Sequence, residues 1–214
     1  MKTKLTILFS VLTGVFLMMS AVLGVQLTAA KRDADTQLKQ FYSEVAIETL
    51  RCVTSLNVAA DKENTDLDDY FWRLQTFLSA LDQLFWDGRY VLGTDVWYPK
   101  QLAPSEEMNQ FVSFAEMGEF LRTGQLKGRT IREGFPAHNP LSEPDIAYLQ
   151  EMSELLQTAV DRLYEYRENG EINIPDIEEF NDIFKPFFAR YTVQQMQENF
   201  SWYPPYSGEQ PFTK

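Results

Sequence analysis

The chain has 214 residues, 31 of them acidic and 19 basic, for a net charge of −12 at neutral pH, with one cysteine and one histidine. That balance argues against nucleic acid as a partner, because phosphates need a basic stripe and this chain offers none. A single cysteine makes no intramolecular disulfide, and a single histidine leaves little room for metal or general-base chemistry.

Residues 1–4 form a basic flank, and residues 5–30 follow as an apolar run without a charged side chain. As a helix, that run measures roughly 39 Å at about 1.5 Å per residue, against a hydrocarbon core about 30 Å thick. It is expected to be a transmembrane signal anchor. A signal peptide cleaved near Ala30 is the alternative, supported by the small residues Thr28, Ala29 and Ala30. The run exceeds the roughly 7–15 apolar residues of an ordinary signal, which favours the anchor. No cysteine stands directly after it, the only one being Cys52, which argues against a lipoprotein. Lys2 and Lys4 nearly balance Lys31, Arg32 and Lys39 across the run, so the short amino-terminal tail decides the orientation. The expected location is a single-pass membrane protein with an extracytoplasmic domain, or a secreted one after cleavage.

Without the two flank lysines, residues 31–214 hold 17 basic and 31 acidic side chains, a net of −14. The expected fold class is all-α. Residues 31–200 should form an irregular bundle of about four to five helices with two long loops. From Asp33 to about Ala60, Leu38, Phe41, Tyr42, Val45, Leu50, Cys52, Val53 and Leu56 recur at helical steps. Neither proline nor glycine separates that segment from residue 30, so one long helix is expected to run through both. Cys52 falls on the apolar stripe and reads as a buried, inert thiol. A disulfide between two parallel copies, and hence a homodimer, is the sharper alternative.

Thr65 or Asp66 then caps a second helix carrying Leu67, Phe71, Leu74, Leu78, Leu81 and Phe85, the cleanest amphipathic pattern in the chain. Gly88 to Ala103 reads as a loop, with an extended piece at Tyr90-Val91-Leu92. Pro104-Ser105-Glu106-Glu107 is expected to start a third helix, with Met108, Phe111, Ala115 and Leu121 facing inward and Gly124 stopping it. A second long loop, through Pro136, His138 and Pro140, leads to the clearest start. There Ser142 caps, Pro144 sits in the first turn and Asp145 follows three residues after the cap. Ile146, Leu149, Leu156, Val160 and Leu163 mark this fourth helix up to Asn169-Gly170. A fifth carries Ile177, Phe180, Phe184, Phe187 and Tyr191, with a kink or break expected at Pro186. No β pattern of consequence is visible, and residues 201–214 read as an aromatic, proline-rich tail.

No catalytic residue, metal ligand or cofactor is expected. His138 lacks the neighbours that zincins, di-iron bundles or nucleophilic triads require, and no phosphate loop is present. The acids between Asp61 and Asp69 lack the glycine of a calcium loop and read as a helix cap. Exposed aromatics are the better lead. Trp86, Trp97 and Tyr98 surround the first long loop, and Trp202, Tyr203 and Tyr206 flank two prolines in the tail. Such side chains fill a partner's groove or stack on sugar rings. Trp72 and Trp86, 14 residues apart on one flank of the second helix, are expected to pack against a neighbouring helix. The function expected is a membrane-anchored, non-catalytic interaction module, an accessory or scaffold of a cell-envelope complex with a protein partner. Two alternatives are a cell-surface protein binding glycan or peptidoglycan, and an envelope hydrolase using two carboxylates. A chain with one span cannot relay a signal across a bilayer by itself, which argues against a receptor.

Overall fold

The computed structural model describes residues 2–61, 66–92, 111–168, 171–172 and 177–200. Among them the chain is all-α, with six α-helices and two minimal hairpins. The helices are α1 (Lys2–Ala59), α2 (Leu67–Leu92), α3 (Phe114–Thr123), α4 (Glu143–Glu165), α5 (Ile177–Arg190) and α6 (Val193–Phe200). Strands β1 (Gln125–Leu126) and β2 (Arg129–Thr130) pair antiparallel, as do β3 (Arg167–Glu168) and β4 (Glu171–Ile172).

The chain divides into two compact units, residues 1–40 and 41–214. In the first unit the described side chains Met19, Leu23 and Leu27 are 61, 61 and 74% exposed. Among the described residues no helix is long and apolar enough to cross a membrane. The apolar run of residues 5–30 falls largely on residues 2–18, 20–22 and 25, whose side chains lie outside that description.

In the second unit, α1 contributes Phe41, Tyr42, Val45, Cys52, Val53 and Leu56 to the core, while Leu50 stands 38% exposed. Cys52 is fully buried, and burial first, then the nearby Glu48 carboxylate, pushes its thiol far up from the usual range. This corrects the alternative of a disulfide between copies, since the sulfur is not presented at any surface.

All six apolar positions expected on α2 are buried. The helix continues to Leu92, however, so Gly88 lies inside it and Tyr90-Val91-Leu92 is helical rather than extended. A Cβ at position 88 would stand 2.7 Å from the Phe41 ring, so the glycine lets that ring close on α2.

α3 also departs from expectation. It starts at Phe114, not near Pro104. Ser113 forms a capping box, its hydroxyl accepting from the Glu116 amide and its amide donating to the Glu116 carboxylate. Asp82 of α2 accepts from the Phe114 amide at 3.1 Å, which ties the start of α3 to its neighbour. Phe111 precedes the helix in a bridge to Thr192, and Met108 lies outside the described residues. Gly124 ends α3 in the left-handed region at φ 75°, where a Cβ would collide with the Arg132 carbonyl. Lys127 and Gly128, both at positive φ, then turn β1 into β2.

α4 begins as expected, with Ser142 at its cap and all five expected apolar residues buried. It ends at Glu165, giving way to β3 and β4, which the helical reading missed.

α5 runs through Pro186 without a break. Proline lacks the amide that would donate to the Asp182 carbonyl one turn back. Arg162 of α4 donates to that carbonyl instead, at 2.7 Å, so the freed acceptor is satisfied from the neighbouring helix. A sixth helix, unexpected from the sequence, follows with Thr192 at its start. The Gln195 amide, in the orientation that satisfies both its ends, donates to the Ala189 carbonyl at 3.2 Å and closes the last turn of α5.

Two aromatic clusters stand within the core. Phe85, Phe114, Phe180, Phe184, Phe187 and Phe188 meet edge-on or tilted, with Phe85 and Phe184 centroids 4.8 Å apart. Phe120, Phe135, Tyr148 and Phe200 form the other, joined to α2 through Phe71. Each buried ring contributes about 2–3 kcal/mol relative to exposure.

Candidate functional site

Three places gather chemistry-bearing or recognition-bearing side chains. The first is a polar cluster at the start of α4. The loop after β2 carries Arg132, whose side chain is 1% exposed, and α4 carries Asp145, fully buried. The guanidinium donates to Asp145 Oδ1 at 2.7 Å through Nη1, approaches His138 Nδ1 at 2.8 Å through Nη2, and donates from Nε to the Glu133 carbonyl. It also lies 4.3 Å from the Phe135 ring centre and 4.9 Å from that of Phe200.

Ser142, His138 and Asp145 are the residue types of a nucleophilic triad, but their connectivity differs. Ser142 Oγ donates its proton to Asp145 Oδ2 at 2.7 Å and accepts from the Asp145 amide. Activation of a serine requires that proton to face an imidazole. Here the hydroxyl caps a helix, the carboxylate neutralises a buried guanidinium, and the cluster fastens the loop to α4. Asp145 does more than the capping role the sequence suggested.

The second place is a groove of about 610 Å³ between α4, α5 and α6, lined by Glu151, Glu154, Leu155, Pro186, Arg190 and Gln195 among others. Arg190 grips Glu151 in a bidentate pair at 2.5 and 2.8 Å, and the Glu151 hydrogen bond raises the Arg190 pKa. Beside it the Tyr191 hydroxyl is buried without a hydrogen-bond partner. Burial, followed by the Glu151 charge, pushes that phenol well above its usual range. A neutral phenol and a committed ion pair offer no proton donor or acceptor poised near neutral pH. Among the described residues, no three histidine, cysteine or carboxylate side chains converge as metal ligands.

The third place is the outer face of α2. Trp72 and Trp86 are 54 and 48% exposed, so each is covered only in part, less than the expected packing of both against a neighbouring helix. At 3.6 residues per turn, positions 72, 76, 79, 83 and 86 lie roughly 140° around the helix from the buried leucine and phenylalanine stripe. Thr76, Ser79 and Gln83, between the tryptophans, are exposed too. Of the aromatics singled out from the sequence, Trp86 stands on this face. Trp97, Tyr98, Trp202, Tyr203 and Tyr206 lie outside the described residues.

Spacing alone could have found the α2 face, since an uncharged line flanked by Arg73 and Asp87 is readable. The Arg132–Asp145 pair has no such signature, because its partners meet across an irregular loop. No family model, no curated protein and no solved structure matches this chain.

Proposed function

We propose that this protein is a membrane-anchored, non-catalytic interaction module. A signal anchor over residues 5–30 tethers an extracytoplasmic helical domain that serves a cell-envelope complex as an accessory or scaffold. The observation that carries this reading is the outer face of α2, where two large aromatic side chains stand half exposed on a rigid helix. Tryptophans in that setting are frequent anchors of protein interfaces. The polar groups best able to do chemistry are engaged in holding the fold, which supports a role in binding rather than turnover. The charge-free run and the exposed Met19, Leu23 and Leu27 support the tether.

The test is in-cell crosslinking of the full chain followed by capture through a carboxy-terminal tag. Trp72→Ala and Trp86→Ala are expected to reduce partner recovery at least five-fold while leaving the melting temperature within about 3 °C of wild type. Trp97→Ala and Trp202→Ala test the loop and tail in the same way. Full recovery by all four variants would remove the aromatic surfaces from the account. Specific retention on a glycan or peptidoglycan resin, lost in the same variants, would transfer the function to cell-wall ligand binding.

A further inference from the structure

The outer face of α2 has a symmetry that narrows the choice of partner. Trp72 and Trp86 stand seven residues on either side of Ser79, with Thr76 and Gln83 between. The line is uncharged over roughly 21 Å, in a chain whose net charge of −12 otherwise keeps copies apart. Its ends are bulky and its middle is small. An interface built on a two-fold axis must be complementary to itself about that axis, and this face meets the requirement at Ser79.

We infer that the face is the seat of a second copy of this chain, with the two α2 helices packed antiparallel about a two-fold axis passing Ser79. This rests on the reading of the domain as an interaction module and names its partner. In that arrangement position 79+k of one helix lies beside 79−k of the other, so Trp72 meets the partner's Trp86, and the contact occurs twice. Thr76 and Ser79 let the helices approach to the near end of the roughly 8–10 Å range.

The flanking charges agree with this register. Arg73 and Asp87 lie on the same side of the line, and Arg73 now pairs with Asp69 at 2.7 Å with 56% of its side chain exposed. A two-fold axis across the face keeps that side in common. Arg73 of one copy then falls two residues, about 3 Å along the axis, from the partner's Asp87. A parallel pairing would leave Arg73 of one copy 14 residues, about 21 Å along the axis, from the partner's Asp87.

The area sets the strength. A tryptophan presents on the order of 200 Å², so four half-exposed rings bury roughly 400 Å² across the pair, against about 1,600 Å² for a standard interface. Association is therefore weak in dilute solution and depends on confinement of both copies to one membrane, which raises their effective concentration.

Single-cysteine crosslinking of the full chain in membranes of expressing cells tests the register, using two co-expressed copies with different tags. Native Cys52 is fully buried, so the wild type gives the background. Under mild oxidation Ser79→Cys is expected to give a dimer carrying both tags, because an axial residue places its two sulfurs within disulfide reach. Asp68→Cys, 11 residues from the axis and so roughly 33 Å from its counterpart, should give none. Trp86→Ala added to Ser79→Cys should lower the dimer yield at least five-fold. Equal crosslinking at positions 68 and 79 would overturn the antiparallel pairing, as would the absence of any band. A Ser79→Cys product containing one tag and a different protein would overturn the second-copy assignment while leaving the interaction module standing. Loss of all crosslinks and of all captured partners would remove both.

Discussion

Replacing Asp145 by asparagine keeps the shape of the side chain and removes its charge from beside Arg132. The guanidinium is then left 1% exposed without the Asp145 charge, its Nε still donating to a carbonyl and its Nη2 still beside an imidazole nitrogen. Removing one partner of a buried pair costs about 3–5 kcal/mol, because the remaining charge stays desolvated. For a domain of this size each kcal/mol moves the melting temperature by about 2–4 °C, so Asp145→Asn should melt roughly 6–20 °C lower. The assay is thermal unfolding of the full chain in mild detergent, followed by circular dichroism. The double variant Arg132→Met with Asp145→Leu supplies the control. Without a charge to strand, it should recover most of the loss, short of the guanidinium's contacts with Phe135 and Phe200 and of the hydrogen bonds that Ser142 and the Glu133 carbonyl make to the pair. Melting of Asp145→Asn within about 2 °C of wild type would refute the reasoning, since it would mean the pair is solvated.

Four further outcomes follow from the packing. Tyr191→Phe removes a buried hydroxyl that has no partner and should be neutral or stabilising near pH 7 by up to about 1 kcal/mol, read by denaturant titration. Burial holds the folded Tyr191 phenol neutral while the unfolded one ionises at about 10, so stability falls as pH rises past that value, and the same variant should lessen this alkaline loss. Arg162→Ala should cost about 1 kcal/mol when Pro186 is present and nearly nothing in Pro186→Ala, where an alanine amide reaches Asp182; equal costs in a double-mutant cycle would separate the two residues. Gly124→Ala should lower stability by at least about 2 kcal/mol in the same titration, from the left-handed backbone and the collision with the Arg132 carbonyl.

The helices legible in the sequence are those with periodic apolar residues and a chemically explicit start. α2 has both in Leu67 to Phe85 and its acidic first turn, and α4 has both in Ser142 and its buried stripe. For α3, Pro104 with the acids after it and the Ser113–Glu116 box offer similar local start signals, and the helix begins at the second. α6 escaped because only Met196 and Phe200 are buried along its eight residues. By their own backbone preferences Gly88 and Pro186 are helix breakers. Phe41 closing on the one and Arg162 satisfying the carbonyl freed by the other are tertiary facts with no local trace. For the site, the spacing of Trp72 and Trp86 was visible, but their exposure was not. Periodicity reports which residues share a flank, and the neighbouring elements decide whether that flank is covered.

The most direct measurement is the fate of the full chain, tagged after Lys214, when intact expressing cells are treated with protease and their membranes are washed with alkaline carbonate. An anchored external module predicts a full-length band that resists the wash and disappears from intact cells under protease. A full-length band that is released by carbonate, or that survives protease until the cells are opened, would contradict it.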